Sequence, residues 1–331
     1  MLSRIPPTAV AATWGIARLT PKVRQIRLLS SPWCRISAVG ISKDNVVEGS
    51  SELSVDPTLC GEDSFFIRTI QDGPYMTSIA WFGVADGVGG WRQYGVDPGL
   101  IARQVMRNAS ALVHGKGFPN NHTSAQMLIG ESYWKVVYGK EVEAGSTTVC
   151  MAKVWPGVSK GFEILPKAAW MSDTKPAEVD EYILEVANIG DSGLIVLRPS
   201  VDKEGDAQTR EDGQKSKPVR CVWQTPFNRI GQNAPLQLAV VPESMHQDGM
   251  IMTDPCEASV YRWRLQQGDI LVMGTDGVWD NISPSNVEDI TVECMGEGGL
   301  DVDMMARRVV EESLEGPKLD DITVSVCHIT G

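Results

Sequence analysis

A mainly apolar run that ends in an Asp-Gly pair occurs twice in this chain and constrains its fold more than any other feature. The first run, 79–85, ends at Asp86 and the second, 268–275, ends at Asp276; a glycine follows each aspartate. Short apolar runs bounded by glycine-containing turns predict buried strands. A carboxylate at the end of a buried strand is costly unless a positive group meets it, and a metal ion is the simplest such group.

Two further acidic pairs stand next to predicted strands. Glu62 and Asp63 open one strand, and Asp320 and Asp321 precede the last strand, 322–329. Because four acidic groups lie at strand ends, we expect them to converge on one edge of a sheet. Carboxylate oxygens without a nearby cysteine or histidine favour Mg²⁺ or Mn²⁺ over zinc or copper.

The composition is that of an ordinary soluble globular protein and argues against one class of partner. The 331 residues are 42% hydrophobic and 22% charged, which allows a substantial core. Residues 1–43 hold seven Lys or Arg and no acid, so the rest of the chain carries 23 basic against 42 acidic residues. That excess argues against a nucleic-acid partner, because phosphate backbones are bound by Lys and Arg. No apolar run is long enough to span a bilayer, and the seven scattered cysteines are expected to be free thiols.

Residues 1–43 are predicted to be a targeting segment outside the fold. They are rich in Arg and Ser, and Thr20-Pro21 can begin a short helix with one apolar and one basic face. This pattern is typical of a mitochondrial presequence and favours a location in the matrix. A disordered basic tail, a secretory signal and a cytoplasmic location are the alternatives.

Residues 44–58 are predicted to be a flexible lead-in, and 59–331 a single globular domain. Two polar stretches, about 155–180 and 199–217, have little to bury and are predicted to be exposed insertions. The irregular region 225–257 is open to two interpretations, a functional lid or a simple insertion.

The remaining pattern predicts an α+β fold with two sheets packed face to face and helix pairs outside them. The expected helices begin near 97 and 283 and cover 123–138 and 301–314, with strands between and around them. The helix over 123–138 is expected to turn four residues inward, Met127, Leu128, Trp134 and Val137.

Six motifs in one order carry a resemblance to a known family. They are Gly61-Glu-Asp-Ser, Gly83-Val-Ala-Asp-Gly, Gly145-Ser-Thr-Thr, Ala187-Asn-Ile-Gly-Asp-Ser, the stretch from Gly268 to Asn281, and Asp320-Asp-Ile-Thr-Val. This succession resembles the metal-dependent PPM/PP2C serine/threonine phosphatases over roughly residues 59–330. The segments 61–66, 86–91 and 225–228 resemble the mitochondrial PTC7-type branch.

The resemblance implies an αββα sandwich of four layers with a two-metal site at one edge. Asp86 matches the family's bridging metal ligand, and Gly87 is implied to contribute a backbone carbonyl. Asp276 and Asp320 match the other direct carboxylate ligands, so the resemblance assigns catalysis to the three aspartates. The implied cofactors are two Mg²⁺ or Mn²⁺ ions.

The other matched acids have supporting roles in the family. Glu62 and Asp63 match acids that hold metal-bound waters, and Asp280 matches a residue that can serve a third metal ion. The implied chemistry is in-line attack on the phosphomonoester by a bridging hydroxide, because two ions about 3.5–4 Å apart lower the pKa of the water between them. No phosphoenzyme is required.

The chain departs from the family at three places. Thr58 stands where the family has its phosphate-binding arginine, and Val88 where a proposed general-acid histidine stands. Arg92 is a candidate replacement for phosphate binding, with a solvated loop arginine as the alternative. Asp191 lacks the arginine that usually follows its motif and is interpreted as a turn-forming residue.

The function expected from the resemblance is dephosphorylation of phosphoserine and phosphothreonine proteins by a monomeric enzyme. Because the arginine and the histidine are missing, the alternative is a pseudophosphatase that binds metal or phosphoprotein as an adaptor. A two-metal nuclease would fit the carboxylates but not the acidic composition.

Overall fold

The computed structural model describes most of the chain. The described residues are 29–31, 33–72, 77–115, 117–157, 181–200, 217–230, 234–246 and 250–331. The predicted helix near Thr20 and most of both predicted polar insertions lie outside them. The targeting role of residues 1–43 therefore stays a prediction.

Sixteen strands are found in the described residues, most of them in two antiparallel sheets. They are β1 (Leu29–Ser30), β2 (Cys34–Ile41), β3 (Asp63–Asp72), β4 (Thr77–Gly87), β5 (Gly145–Pro156), β6 (Tyr182–Ile189), β7 (Gly193–Pro199), β8 (Val219–Gln224), β9 (Arg229–Ile230), β10 (Ala234–Pro235), β11 (Leu238–Val240), β12 (Ser259–Leu265), β13 (Ile270–Gly274), β14 (Met295–Gly296), β15 (Gly299–Leu300) and β16 (Ile322–Ile329). The first sheet has the order β1-β2-β16-β13-β7-β8, and the second has the order β12-β6-β5-β4-β3 with β11 paired to β5.

The described part of the chain also contains six α-helices. They are α1 (Lys43–Val47), α2 (Gly99–His114), α3 (Ala125–Gly139), α4 (Asp276–Trp279), α5 (Pro284–Cys294) and α6 (Val302–Leu314). Side chains of α5 and α6 share a buried cluster with the first sheet, and those of α2 and α3 share one with the second sheet. A third cluster lies between the two sheets. The predicted α+β sandwich is confirmed.

Both apolar runs of the sequence form central strands that are buried on both faces. In β4, Trp81 packs toward α2 and α3 while its neighbour Phe82 packs between the sheets. In β13, Val272 faces α5 and α6 while Met273 faces the other sheet. Strands covered on both sides are apolar at every position, which explains why these runs show no alternation with polar residues.

The N-terminal boundary predicted for the globular domain is wrong. Strand β2 lies inside the first sheet, where it pairs along its whole length with β16, and its residue Val39 is fully buried. Ser54 bridges back to Gly40, so the predicted flexible lead-in also packs on the fold. The fold therefore begins before residue 59. The prediction missed β2 because a short strand in a basic, acid-free segment leaves no signal in the composition.

The predicted orientation of the helix over 123–138 is partly wrong. Met127 and Trp134, expected to face inward, have 54% and 38% of their surface exposed. Leu128 faces inward as predicted, and Ile129 and Val136 are buried beside it. The helix has apolar residues on both sides, so the sequence pattern did not fix which side packs on the sheet.

All seven cysteines are free, and five of them are buried. In the part of the chain that the structure describes, no helix is long and apolar enough to cross a membrane. The region 225–257 contains the short strands β9, β10 and β11 in place of a wholly irregular loop.

Candidate active site

Antiparallel pairing within the second sheet brings two of the acidic motifs together. Asp63 on β3 lies opposite Asp86 on β4, and the N–H of Gly87 donates to the carbonyl of Glu62 at 3.0 Å. A side chain at position 87 would collide with the carbonyl of Pro98, so glycine is required there. The two motifs therefore meet at one end of the sheet.

The first sheet delivers the other two motifs to the same edge. Strand β13 leads directly to Asp276 at the start of α4, and Asp320 precedes β16, its antiparallel neighbour. Two hydrogen bonds join the sheets at this point. Thr275 Oγ1 donates to Asp63 Oδ2 at 2.7 Å, and the N–H of Glu62 donates to Asp321 Oδ2 at 3.0 Å. The predicted convergence of the acidic motifs on one edge is present in the structure.

Two carboxyl groups of this cluster are strongly destabilised in their charged form. Burial raises the pKa of Asp86 well above its usual range, and the charge of Asp63 raises it further. Burial likewise raises the pKa of Asp63, with the charge of Asp321 as the next cause. The Asp86 carboxylate forms no hydrogen bond or ion pair with any described residue. Additional positive charge is needed if these groups are to be ionised together.

Lys318 supplies positive charge on one side of the cluster. Its Nζ donates to Asp276 Oδ2 at 2.6 Å and to Asp280 Oδ2 at 2.9 Å, and lies 3.0 Å from Asp320 Oδ2. Burial raises the pKa of Asp276, although the hydrogen bond and charge of Lys318 oppose the rise. Sequence reasoning did not identify Lys318, although its place two residues before Asp320 was a usable signal.

Lys43 supplies positive charge on the other side. Its Nζ donates to Glu62 Oε2 at 2.7 Å and to Asp320 Oδ1 at 3.1 Å, and lies 3.3 Å from Asp321 Oδ2. Burial opposes the ionisation of Asp320, but Lys318 and Lys43 outweigh it, so the pKa of Asp320 lies below its usual range. No local signal pointed to Lys43, because it stands in the segment interpreted as a targeting sequence.

Arg92 lies at the rim of the cluster. Its Nε donates to Glu62 Oε1 at 2.6 Å, and 52% of its side chain is exposed. Its predicted contact with phosphate stays a prediction. Thr58, which stands in place of the family's arginine, is exposed and donates its hydroxyl to Asp56. Val88 presents no acid or base, and its N–H donates to the carbonyl of Ser146.

Asp191 contributes more than the turn expected from the sequence. Its side chain is buried and accepts a hydrogen bond from Arg229 Nε at 3.0 Å, while Arg229 Nη2 reaches Asp280 at 3.4 Å. Burial raises the pKa of Asp191, the charge of Asp276 raises it further, and Arg229 opposes both. Asp191 is therefore part of the electrostatics of the site. Arg229 does not follow from local pattern, because it lies 38 residues away from Asp191 in the sequence.

The ligand chemistry of the cluster fits divalent metal ions. It offers carboxylate oxygens and an excess of negative charge, which are the preferences of Mg²⁺ and Mn²⁺. Among the described residues, no three acid, cysteine or histidine side chains are arranged to enclose an ion directly. Ammonium groups lie between the acids instead, Lys318 between Asp276 and Asp320 and Lys43 between Glu62 and Asp320.

Comparison with known proteins identifies relatives that match more than two thirds of the chain. The chain is 31% identical over 270 residues to the protein phosphatase PTC7 homolog fig of Drosophila grimshawi. This alignment covers 80% of this chain and 71% of the relative. The chain is 30% identical over 239 residues to the mitochondrial protein phosphatase 2C homolog 7 of Saccharomyces cerevisiae, covering 69% of this chain and 55% of that protein. The chain thus spans little more than half the length of the yeast relative.

Solved structures share the fold at lower sequence identity. The photosystem II phosphatase PBCP superimposes with a TM-score of 0.57 at 23% identity, over 90% of this chain and 99% of that one. The serine/threonine phosphatase of S. agalactiae gives a TM-score of 0.50 at 15% identity, over 89% of this chain and 99% of that one. No profile of a known family matches the sequence. On the similarity to the fly protein over most of both lengths, the chain belongs to the PP2C protein phosphatase family, in the branch of the PTC7 homologues.

Proposed function

We propose that this protein is a metal-dependent protein serine/threonine phosphatase that acts on phosphoserine and phosphothreonine in other proteins. The observation that carries the proposal is the gathering of acids from both sheets at one edge, with the Asp86 carboxylate left without a partner among the described residues. The names of the PTC7 relatives support the reaction class.

The cluster residues would divide the binding of two Mg²⁺ or Mn²⁺ ions among them. Asp86, Asp276, Asp320 and the carbonyl of Gly87 are the proposed direct ligands. When bound, such ions lower the pKa of a coordinated water and orient phosphate oxygens for in-line attack.

The supporting acids are held in place by contacts that the chain itself provides. Thr275 fixes the Asp63 carboxylate from the opposite sheet, and Lys43 and Arg92 each hold one oxygen of Glu62. We assign Glu62 and Asp63 to binding waters of the metal shell, and Asp280 to a third, weaker ion.

Three hydroxyl groups of β5, which pairs with β4 at Asp86, already take part in hydrogen bonds, and this supports direct hydrolysis without a phosphoenzyme. Ser146 Oγ accepts a hydrogen bond from Trp91 Nε1 at 2.7 Å, and Thr147 Oγ1 donates to the carbonyl of Asp86 at 2.9 Å. Thr148 Oγ1 shares a hydrogen bond with Ser192 Oγ. None of the three contacts a base that could activate it as a nucleophile.

A mitochondrial location, in the matrix, is part of the proposal. It rests on the basic, acid-free composition of residues 1–43 and on the name of the yeast relative. Because β2 begins at Cys34 and lies within the sheet, we place the targeting signal before that residue.

Asp276→Asn in the full-length chain tests the proposed function. With Mn²⁺ present, we expect the wild-type protein to release phosphate from phosphoserine and phosphothreonine peptides far faster than from a phosphotyrosine peptide. Loss of a ligand carboxylate should lower kcat/KM by about 100-fold or more. Phosphate release can be followed colorimetrically on the three peptides.

Asp289→Asn is the matched control, because Asp289 also pairs with a lysine, Lys217, but lies outside the cluster. We expect this variant to keep wild-type activity. Equal activity in the Asp276 variant and the wild type would contradict the metal-ligand assignment. A wild-type protein that binds Mn²⁺ and peptide without any release would favour the adaptor alternative.

A further inference from the structure

Two lysines flank Asp320, one on each side of its carboxylate. Lys43 Nζ donates to Oδ1 at 3.1 Å, and Lys318 Nζ lies 3.0 Å from Oδ2. The two residues come from opposite ends of the described chain, Lys43 from the first turn of α1 and Lys318 from the loop before β16. Because both ammonium groups contact one small carboxylate, they face each other across it.

The backbone of each lysine is fixed by a side chain of the site. Asp321 Oδ1 accepts a hydrogen bond from the N–H of Lys43 at 2.7 Å. Asn281 holds Lys318 from both directions: its Oδ1 accepts from the N–H and its Nδ2 donates to the carbonyl, each at 2.8 Å. Lysine side chains lose substantial rotamer entropy when they are held in one position. The two ammonium groups are therefore positioned by specific contacts of the site.

The contacts of these lysines suit a second acceptor, the phosphoryl group. An ammonium has three donors, and each lysine directs them at three carboxylates of the cluster. Carboxylate oxygens that bind a divalent ion have less need of an ammonium partner. Phosphate oxygens are also negatively charged and accept the same charge-assisted hydrogen bonds.

Other cations near the site are less well placed for this role. Arg92 contacts Glu62 at the rim and also approaches the exposed Asp44. Arg229 contacts Asp191 and Asp280 but not Asp320. Among the ion pairs of the described residues, only those of Lys43 and Lys318 reach the proposed metal ligand Asp320.

We propose that Lys43 and Lys318 bind the phosphoryl oxygens of the substrate, exchanging cluster carboxylates for phosphate when divalent ions occupy the cluster. This inference rests on the proposed function, because phosphate and metal must share the site. The inference predicts opposite effects on the binding of phosphate and of metal. Loss of either lysine weakens phosphate binding and strengthens metal binding, since a competing positive charge is removed.

Calorimetric titration of the full-length chain measures the two ligands separately, first Mn²⁺ alone and then inorganic phosphate with the Mn²⁺-loaded protein. For Lys43→Met and Lys318→Met we expect the Kd for phosphate to rise about tenfold or more, the usual effect of losing a charge-assisted hydrogen bond. We expect the Kd for Mn²⁺ to fall by about threefold.

Lys217→Met is the matched control. Lys217 also bridges two acids, Glu288 and Asp289, and its side chain is 38% exposed against 40% for Lys318. It lies outside the cluster, so both dissociation constants should remain those of the wild type.

Unchanged phosphate affinity in both variants would overturn the inference, and so would a wild-type protein that binds Mn²⁺ but no phosphate. Joint weakening of Mn²⁺ and phosphate binding in a folded variant would also overturn it, because that result indicates a purely structural lysine. Should a methionine variant lose its circular dichroism signal, Lys43→Gln and Lys318→Gln take its place. Failure of the proposed function is distinguishable, since it would appear as absent peptide hydrolysis while the phosphate titration still decides the role of the lysines.

Discussion

Asp86→Asn is expected to abolish metal-dependent phosphate release and, in the presence of a chelator, to raise the free energy of unfolding. The loss of activity, about 1,000-fold or more, follows from removing the proposed bridging ligand of both ions. The gain in stability follows from the structure: burial and neighbouring carboxylates raise the pKa of Asp86 well above its usual range, so its ionised form opposes folding. We expect a gain of about 1 kcal/mol, typical of stabilising changes at strained active sites.

The pH dependence of stability should also show that ionisation of Asp86 opposes folding. A carboxyl group whose pKa is raised in the folded state binds more protons there than in the unfolded chain. In chelator, the wild-type protein should therefore lose stability as pH rises from the ordinary carboxyl range through the raised pKa of Asp86. The Asp86→Asn variant should show a smaller loss. Urea denaturation at several pH values in chelator measures both slopes.

Asp289→Asn serves as the control, since Asp289 is exposed and outside the cluster. This variant should change neither the activity nor the dependence of the unfolding free energy on pH. A variant at Asp86 that retains metal-dependent turnover, or that is less stable than the wild type in chelator, would contradict this account of the cluster.

A truncated chain that begins at residue 59 is expected not to fold. It would lack β2, whose residues Ile36, Val39 and Ile41 are fully buried, and β16 would keep only one of its two neighbours, β13. Full burial of an aliphatic side chain contributes about 1.5–3 kcal/mol, so the three together represent a loss of the order of the whole stability of a domain. Circular dichroism and thermal unfolding should show no cooperative transition.

Removal of residues 1–28 alone is the comparison, because it leaves every described strand in place. We expect that shorter deletion to retain a cooperative transition near the wild-type midpoint. Cooperative unfolding of the chain that begins at residue 59 would show that β2 is dispensable and that the domain boundary predicted from the sequence was adequate.

The sequence predicts the central strands and their aspartates because both signals are local. Strands β4 and β13 are continuous apolar runs, and Asp86 and Asp276 follow them directly. The position of the acidic motifs at strand ends then predicts their meeting at one edge. Strand β2 escapes prediction because its position in the sheet depends on pairing with β16, nearly 300 residues away, and not on its own composition.

The cations of the site escape prediction for a related reason. Lys43 reaches Asp320 only because β2 and β16 are neighbours. Arg229 lies next to Asp191, 38 residues away in the sequence, where the N–H of Asn228 donates to the carbonyl of Gly190. Acids at strand ends produce a recurring pattern in the sequence, whereas single basic residues in loops do not. The electrostatic balance of the site is thus a tertiary property, although the acids that define it are visible in the sequence.

The most direct test of the central claim is the rate of phosphate release from a phosphothreonine peptide by the full-length protein, in chelator and again after Mn²⁺ is restored. The proposed two-metal function predicts no release in chelator and full recovery with Mn²⁺. Release that persists undiminished in chelator would contradict metal-dependent hydrolysis by this carboxylate cluster.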